Sequence, residues 1–196
     1  MADSRSREPD ARTLDRLRSG DAAALAPVFE LFGLRVHRTA LRMMGNQADA
    51  EDVTQEIFLR VLEQANRFDG RSRFSTWLYR LAVRHCLNRI RQRGRRTAAE
   101  DEAGARRARR GLTRDASPIE RLTAQDDLAL VDRLLSGLSP HYRACVVLRE
   151  IEGFSYAEIA ELLELPIGTV MSRLSRARAL LSSQLSEYRD QGAPRE

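Results

Sequence analysis

Apolar residues along this chain recur three and four positions apart over long stretches, and nothing alternates with the period of two that a half-buried strand requires. The pattern predicts an all-α protein. A short helix is predicted over 11–18, and Asp21 is placed to cap a longer one over 21–44, with Pro27 in its early turns and Gly33 as a weak point. A third helix covers 48–66, Asp69-Gly70 marks a turn, and a fourth helix runs over 72–93. Ser117-Pro118-Ile119-Glu120 then combines an N-cap, a proline at the first helical position and a glutamate two residues later, which starts a helix ending near Ser136-Gly137. Ser139-Pro140 starts the next, through Glu150, and Gly153 stops it. Ser155-Tyr156-Ala157-Glu158 is a second capping box, opening a short helix to Leu163; a turn over 164–168 leads into a last helix over 169–188.

The large apolar residues fall in two blocks, which divides the chain. A polar tail (1–10) is followed by a helical domain (11–94), a flexible basic linker (95–117), a second helical domain (118–188) and a second tail (189–196). Cores of this size are marginal alone, so docking onto a larger partner would stabilise them. All 33 basic residues are arginine, the net charge is +5 and the isoelectric point is about 10.0, a balance that fits a polyanionic partner. Arginine suits forked contacts with phosphate and guanine. Cys86 and Cys145 both lie in apolar helical patterns and are expected to be buried, unpaired thiols. No apolar run of about 18 residues occurs and the N-terminus is polar, so neither membrane insertion nor a secretory signal is expected and the predicted location is cytoplasmic. His37, His85 and His141 are scattered, and no nucleophile, metal or phosphate-loop motif occurs, so no catalytic residue, metal or cofactor is predicted and the chain does not read as an enzyme.

The last two helices have the proportions of a DNA-binding helix-turn-helix. On the second of them Val170, Leu174, Ala177 and Leu181 form one narrow stripe that must face a core. Ser172, Ser175, Arg176 and Ala179 project the other way, with Thr169 near the N-terminal end and Arg173 and Arg178 on the shoulders. Small polar residues let such a helix sink into a major groove while the shoulder arginines reach phosphates, and Arg176 is the first candidate for a base contact.

Two unlike stripes mark the first block. On the third helix Asp49, Asp52, Glu56 and Glu63 share an arc of about 60°, with Leu59 beside them. Like charges at these spacings repel, so a positively charged protein surface docked there would offset the cost and bury Leu59. On the fourth helix Arg73, Trp77, Arg80, Arg84, Asn88, Arg91 and Arg95 share an arc of about 80°. A tryptophan within a basic stripe suits stacking on an unpaired base, and Phe68 and Phe74 add aromatics around the turn at 67–73, with Tyr79 assigned to the core.

Together these segments resemble the extracytoplasmic-function (ECF, group IV) sigma factors of the sigma-70 family. DAEDVTQEIFLRVLE resembles their polymerase-binding region, FDGRSRFSTWLYRLAVRHCLNRIRQRGRR their melting and -10 region, and LSPHYRACVVLREIEGFSYAEIAELLELPIGTVMSRLSRARALL their -35 region. The resemblance implies a transcription initiation factor that binds core polymerase (β′ and β subunits), recognises the -35 and -10 elements of promoter DNA and promotes melting. It further implies a stress or envelope response under an anti-sigma factor. Asp49, Asp52, Gln55, Glu56 and Leu59 would engage the polymerase, Asp52, Gln55 and Glu56 meeting the coiled coil of the β′ subunit. Phe68, Arg73, Phe74, Trp77, Arg80, Arg84, Asn88 and Arg91 would serve the -10 element, and Thr169, Ser172, Arg173, Ser175, Arg176 and Arg178 the -35 element. The family commonly carries a basic residue where this chain has Met171. The linker arginines Arg106, Arg107, Arg109 and Arg110 would suit an acidic channel of the polymerase or, alternatively, a disordered solvated tether. A stand-alone helix-turn-helix regulator fits the second block as well, but leaves the acidic stripe and the Trp77 stripe unexplained.

Overall fold

The computed structural model describes residues 8–104 and 124–192, with side chains over 8–95 and 130–188. The capped helix start at Ser117-Pro118-Ile119-Glu120, the four linker arginines and the extreme ends lie outside the described residues. Among the described residues all regular structure is helical: α1 (Ala11–Arg18), α2 (Leu25–Met44), α3 (Gln47–Gln64), α4 (Phe74–Gly104), α5 (Ala124–Ser136), α6 (Pro140–Val146), α7 (Tyr156–Leu163) and α8 (Ile167–Gly192).

Local chemistry accounts for the boundaries. Asp10 caps α1 by accepting from the Thr13 amide at 2.6 Å, and Asn46 caps α3 by accepting from the Asp49 amide at 2.8 Å. Asp21 caps a short 3-10 turn, Ala22–Ala24, before α2 begins at Leu25. Gly33 does not break α2; Phe29 folds over it, and a Cβ there would stand 3.1 Å from that ring. The ring continues onto Phe58 of α3 at a centroid distance of 4.8 Å, so Gly33 makes room for a helix-helix contact.

Two elements depart from expectation. α4 runs to Gly104 instead of ending near Arg93, entering the stretch expected to be linker. That stretch lacks large apolar residues but is rich in arginine, alanine and glutamate, which favour a helix without needing burial. The helix that Pro140 starts changes after Val146 into a wider turn, Val147–Ile151, in which the Glu152 amide donates to the Val147 carbonyl five residues back at 3.0 Å. Gly153, at φ +73°, then ends it.

α1 to α4 enclose one core, with Phe32, Val36, Ile57, Phe74, Leu78 and Val83 buried at its centre. α5 to α8 enclose a second around Cys145, Leu148, Ile159, Leu162, Val170 and Leu174. The two helical units also pack on each other, α4 against α6 and α7, and their buried residues form one continuous cluster. Both cysteines are free and buried as expected; burial pushes the Cys86 thiol up to about 12 and the Cys145 thiol upward, so both favour the protonated, unreactive form. No helix of the described residues is long and apolar enough to cross a membrane.

Candidate nucleic-acid interface

The acidic stripe on α3 is divided. Asp52, Gln55 and Leu59 are exposed, Leu59 by 58% despite being a large apolar side chain. Asp49 instead accepts from Asn46 at 2.6 Å and pairs with Arg93 of α4, while Glu56 sits 2.6 Å from His85 and 3.4 Å from Arg89. Two of the predicted carboxylates thus help hold α3 to α4, and the open ridge is Asp52, Gln55 and Leu59.

On α4, Trp77 is half-buried at the edge of an aromatic cluster. Its ring lies 5.7 Å from Phe68 and 5.4 Å from Phe74, and Phe74 continues to Phe32 at 5.9 Å. Phe68 and Phe74 are 6% and 1% exposed, so they stand behind Trp77 and not at the surface where the sequence pattern had grouped them. Arg18 reinforces the turn, its guanidinium stacking 5.2 Å from the Phe68 ring while donating to the Phe68 carbonyl. Glu8 takes the Ser75 hydroxyl at 2.6 Å and the Ser75 amide at 3.3 Å, tying the start of α4 to the segment that precedes α1. Between α3 and α4 lies a groove of about 620 Å³ lined by Trp77, Arg60, Arg67, Arg80 and Arg89. Asn88 lines the same groove and is exposed, as are Arg73 just before α4 and Arg91 farther along it. Burial fixes the tryptophan's orientation while its open edge and the arginines leave room for a base and its phosphate.

The helix-turn-helix is built as predicted. Ser155 accepts from the Glu158 amide at 3.2 Å and Glu158 accepts from the Ser155 amide at 2.7 Å, so the capping box fixes the entry to α7. Val170, Leu174 and Ala177 are buried, which turns Ser172, Ser175 and Arg176 outward, all exposed. Thr169 is half-buried and its carbonyl accepts from the Ser172 hydroxyl at 3.0 Å. The two shoulders differ from expectation: Arg178 pairs with Glu150 at 2.6 Å, and Arg173 leans into a cavity of about 260 Å³ that also takes Arg84, Asn88, Arg91 and His141. Met171 is 52% exposed on α8.

Sequence reasoning passed over one cluster. Glu152, 7% exposed, reaches from the C-terminal unit into the N-terminal one, accepting from the Thr39 hydroxyl at 2.7 Å, the Tyr79 hydroxyl at 2.7 Å and Arg35 at 3.1 Å. Burial, then the Glu152 charge, pushes the Tyr79 phenol well upward, so it stays a donor. Arg143 likewise crosses, donating to the Met43 carbonyl at 2.7 Å as well as to three carbonyls between α5 and α6. The segment VVLREIEGF carries three charged residues, Arg149, Glu150 and Glu152, and only the approach of the N-terminal unit buries the last of them, so spacing alone held no signal for it.

Family models agree with this geometry: Sigma-70 region 2 matches residues 28–96 and Sigma-70, region 4 matches residues 128–181. The ECF RNA polymerase sigma factor SigW of Bacillus subtilis is 30% identical over 183 residues, covering 90% of this chain and 96% of the relative. The chain belongs to the ECF sigma factors. The ECF RNA polymerase sigma-E factor of Escherichia coli is 31% identical over 189 residues (90% of this chain, 94% of the relative), and SigE of Mycolicibacterium smegmatis is 37% identical over 179 residues (89% and 68%). Among solved structures, CnrH in complex with the cytosolic domain of CnrY is 26% identical with a TM-score of 0.63, covering 90% of this sigma factor and 96% of that chain. RpoE of Bartonella quintana, in complex with the anti-sigma factor NepR, shares the fold at a TM-score of 0.63 and 24% identity, covering 82% and 96%. As a sigma factor this protein is a DNA-binding regulator of transcription.

Proposed function

We propose that this group IV sigma factor binds core polymerase through the Asp52, Gln55 and Leu59 ridge, captures an unpaired -10 base at Trp77 and reads the -35 element with the outer face of α8. Residues 11–94 then form the region 2 domain and 118–188 the region 4 domain, joined through 95–117. The observation that carries the reading is the half-buried Trp77 at the rim of the arginine-lined groove, because duplex readers do not need an aromatic platform and strand-capturing sites do. Opening a duplex costs a few kcal/mol per unstacked base, which stacking on the tryptophan and contacts from Arg73, Asn88 and Arg91 offset. Arg176 supplies the base contact on α8, with Thr169, Ser172 and Ser175 packing into the groove beside it.

The protein works in the cytoplasm with the β′ and β subunits of core polymerase and is held in check by an anti-sigma factor, as the RpoE of Bartonella quintana is bound by NepR. Asp49 and Glu56 contribute to the polymerase contact after exchanging their internal arginine and histidine partners for the positive surface of the β′ coiled coil. The test is run-off transcription with purified core enzyme and genomic fragments, together with Asp52→Lys. The expected result is transcripts from a defined set of promoters and loss of β′ association in the variant. Absence of any sigma-dependent transcript, or β′ association unchanged by the charge reversal, overturns the reading.

A further inference from the structure

Trp77 stands in the first turn of a helix that has no side-chain cap at its own N-cap position. The Trp77 amide donates to the Arg73 carbonyl at 3.1 Å, which makes Arg73 the N-cap of α4. An arginine there has no side-chain acceptor for the free amides of the first turn, and its charge opposes the positive end of the helix dipole. Asp10, Asn46 and Ser155 each cap the helix they precede, whereas α4 takes its acceptor from elsewhere. Glu8, 67 residues away in sequence, supplies it: the carboxylate accepts from the Ser75 amide at 3.3 Å and from the Ser75 hydroxyl at 2.6 Å. Ser75 is itself buried, so the contact is enclosed. The other wall of the tryptophan is held from the same stretch of chain. Arg18 donates to the Phe68 carbonyl at 3.1 Å and stacks 5.2 Å from the Phe68 ring, which lies 5.7 Å from Trp77. Both sides of Trp77 are thus fastened to the segment 8–18.

We propose that Glu8 is a positioning residue for the -10 site: it caps α4 from outside the helix, fixes the orientation of Trp77 and leaves Arg73 to meet DNA. The inference rests on the proposed role of Trp77 as the platform for an unpaired base. A serine or aspartate at position 73 would cap the helix locally, but it would put a neutral or negative side chain where the captured strand needs a cation. Moving the acceptor to Glu8 meets both demands, because the carboxylate is turned into the helix end while Arg73 stays exposed. Without Glu8 the first turn is uncapped beside an arginine that repels its dipole, and the turn frays. A stacking platform that samples several orientations binds a base less tightly, since ordering it then costs conformational entropy. Residue 8, which the residue pattern assigns to a polar tail, thereby belongs to the strand-capturing site.

The test uses the full chain, first alone and then assembled with core polymerase on a promoter that the wild type uses in run-off transcription. Trp77 is the chain's single tryptophan, so in the free protein its emission maximum and its quenching by acrylamide report this position alone. Glu8→Ala is expected to shift the emission to the red and to raise the quenching. In the holoenzyme it should slow promoter opening about fivefold, the effect of losing one helix cap, with closed-complex affinity unchanged. Glu8→Gln keeps an acceptor for Ser75 and should recover most of the rate. Asp21→Ala removes a cap in the same helical unit, on the turn before α2, and should lower the unfolding midpoint comparably without slowing opening. Should Glu8→Ala fail to fold, Ser75→Ala, which removes the hydroxyl partner alone, carries the test with the same signs. A folded Glu8→Ala with wild-type emission and opening, beside a slow Trp77→Ala, overturns the positioning role alone, as does an Asp21→Ala that opens equally slowly. Wild-type opening in Trp77→Ala overturns the functional reading instead.

Discussion

The stripe on α4 and the outer face of α8 are both arginine-bearing, yet the protein builds them in opposite ways. α8 presents Ser172, Ser175 and Arg176 on an exposed face opposite its buried stripe, Val170, Leu174 and Ala177, with Arg178 at one shoulder paired to Glu150. α4 sets Trp77 against Phe68 and Phe74, which are themselves core, and engages Arg80 and Arg84 in ion pairs. A face that enters a groove needs shape and protruding donors, so the helix geometry suffices. A site that must receive a base pulled out of a stack needs a rigid aromatic wall, and rigidity has to come from the hydrophobic core. The two faces should therefore respond differently when that core is disturbed.

The largest effect is expected from Phe74→Ala, which removes the wall between Phe32 and Trp77. A buried phenylalanine truncated to alanine costs ~3–5 kcal/mol, read as a lowered midpoint in chemical or thermal unfolding, and the groove at Trp77 should lose function even in molecules that stay folded. Next come the two surface variants. Trp77→Ala should leave closed-complex formation near normal but slow opening by roughly ten- to a hundredfold, from ~1–3 kcal/mol of lost stacking, followed by permanganate reactivity of melted thymines. Arg176→Ala should weaken promoters that differ in the -35 element unequally, by a comparable ~1–3 kcal/mol at the preferred base. Equal losses across all -35 sequences, or normal opening without Trp77, would erase the distinction between the faces. Ser155→Ala, which removes one half of the capping box that aims α7, should lower stability by about 1 kcal/mol without altering which -35 sequence is preferred.

The smallest effect is a pH dependence located between the units. Burial, then Arg173 and Arg91, lowers the pKa of His141 below its ordinary 6.5. Lowering disfavours the charged form in the folded state, so as pH falls through 6.5 the unfolded or opened chain takes up the proton first and stability declines modestly. Tyr79 has the opposite sense: its raised pKa means stability is present below 10.0 and is lost as pH rises beyond it, when the released phenol ionises. The buried thiols Cys86 and Cys145, also raised from 9.0, add to the alkaline side, so melting temperatures should be flat between about 7 and 8.5 and fall on both sides, with His141→Gln reducing the acid limb and Tyr79→Phe part of the alkaline one.

Most of the described helices and the capping box at Ser155 could be read from residue spacing, because those signals are local: Ser155 binds the Glu158 amide three residues away and Asp21 the Ala23 amide two away. The outward face of α8 was readable for the same reason, since periodicity alone decides what a helix turns away from its core. What escaped was long-range. Phe68 and Phe74 look like surface aromatics in a basic segment, and only the approach of Phe32 and Arg18 makes them core. Arg80, Arg84 and Arg178 read as free cations because their carboxylate partners lie 28 to 81 residues away in sequence. The full length of α4 was hidden by the opposite error, in which lack of apolar residues was taken for lack of helix.

The widened turn at Val147–Ile151 has a consequence for how this surface tolerates change. An α-helix gives each residue about 100° of rotation, so one residue more or less within a turn swings everything downstream by that angle. Removing a single residue from Val147–Ile151 is the exception: the segment would relax into an ordinary helix in which position 152 becomes the i+4 partner of the same Val147 carbonyl, so its heading toward Thr39 and Tyr79 would change little. The run therefore tolerates loss of a residue better than gain of one, since a further insertion would swing position 152 away from Thr39 and Tyr79, while its buried positions, Val147 and Leu148, constrain identity as well.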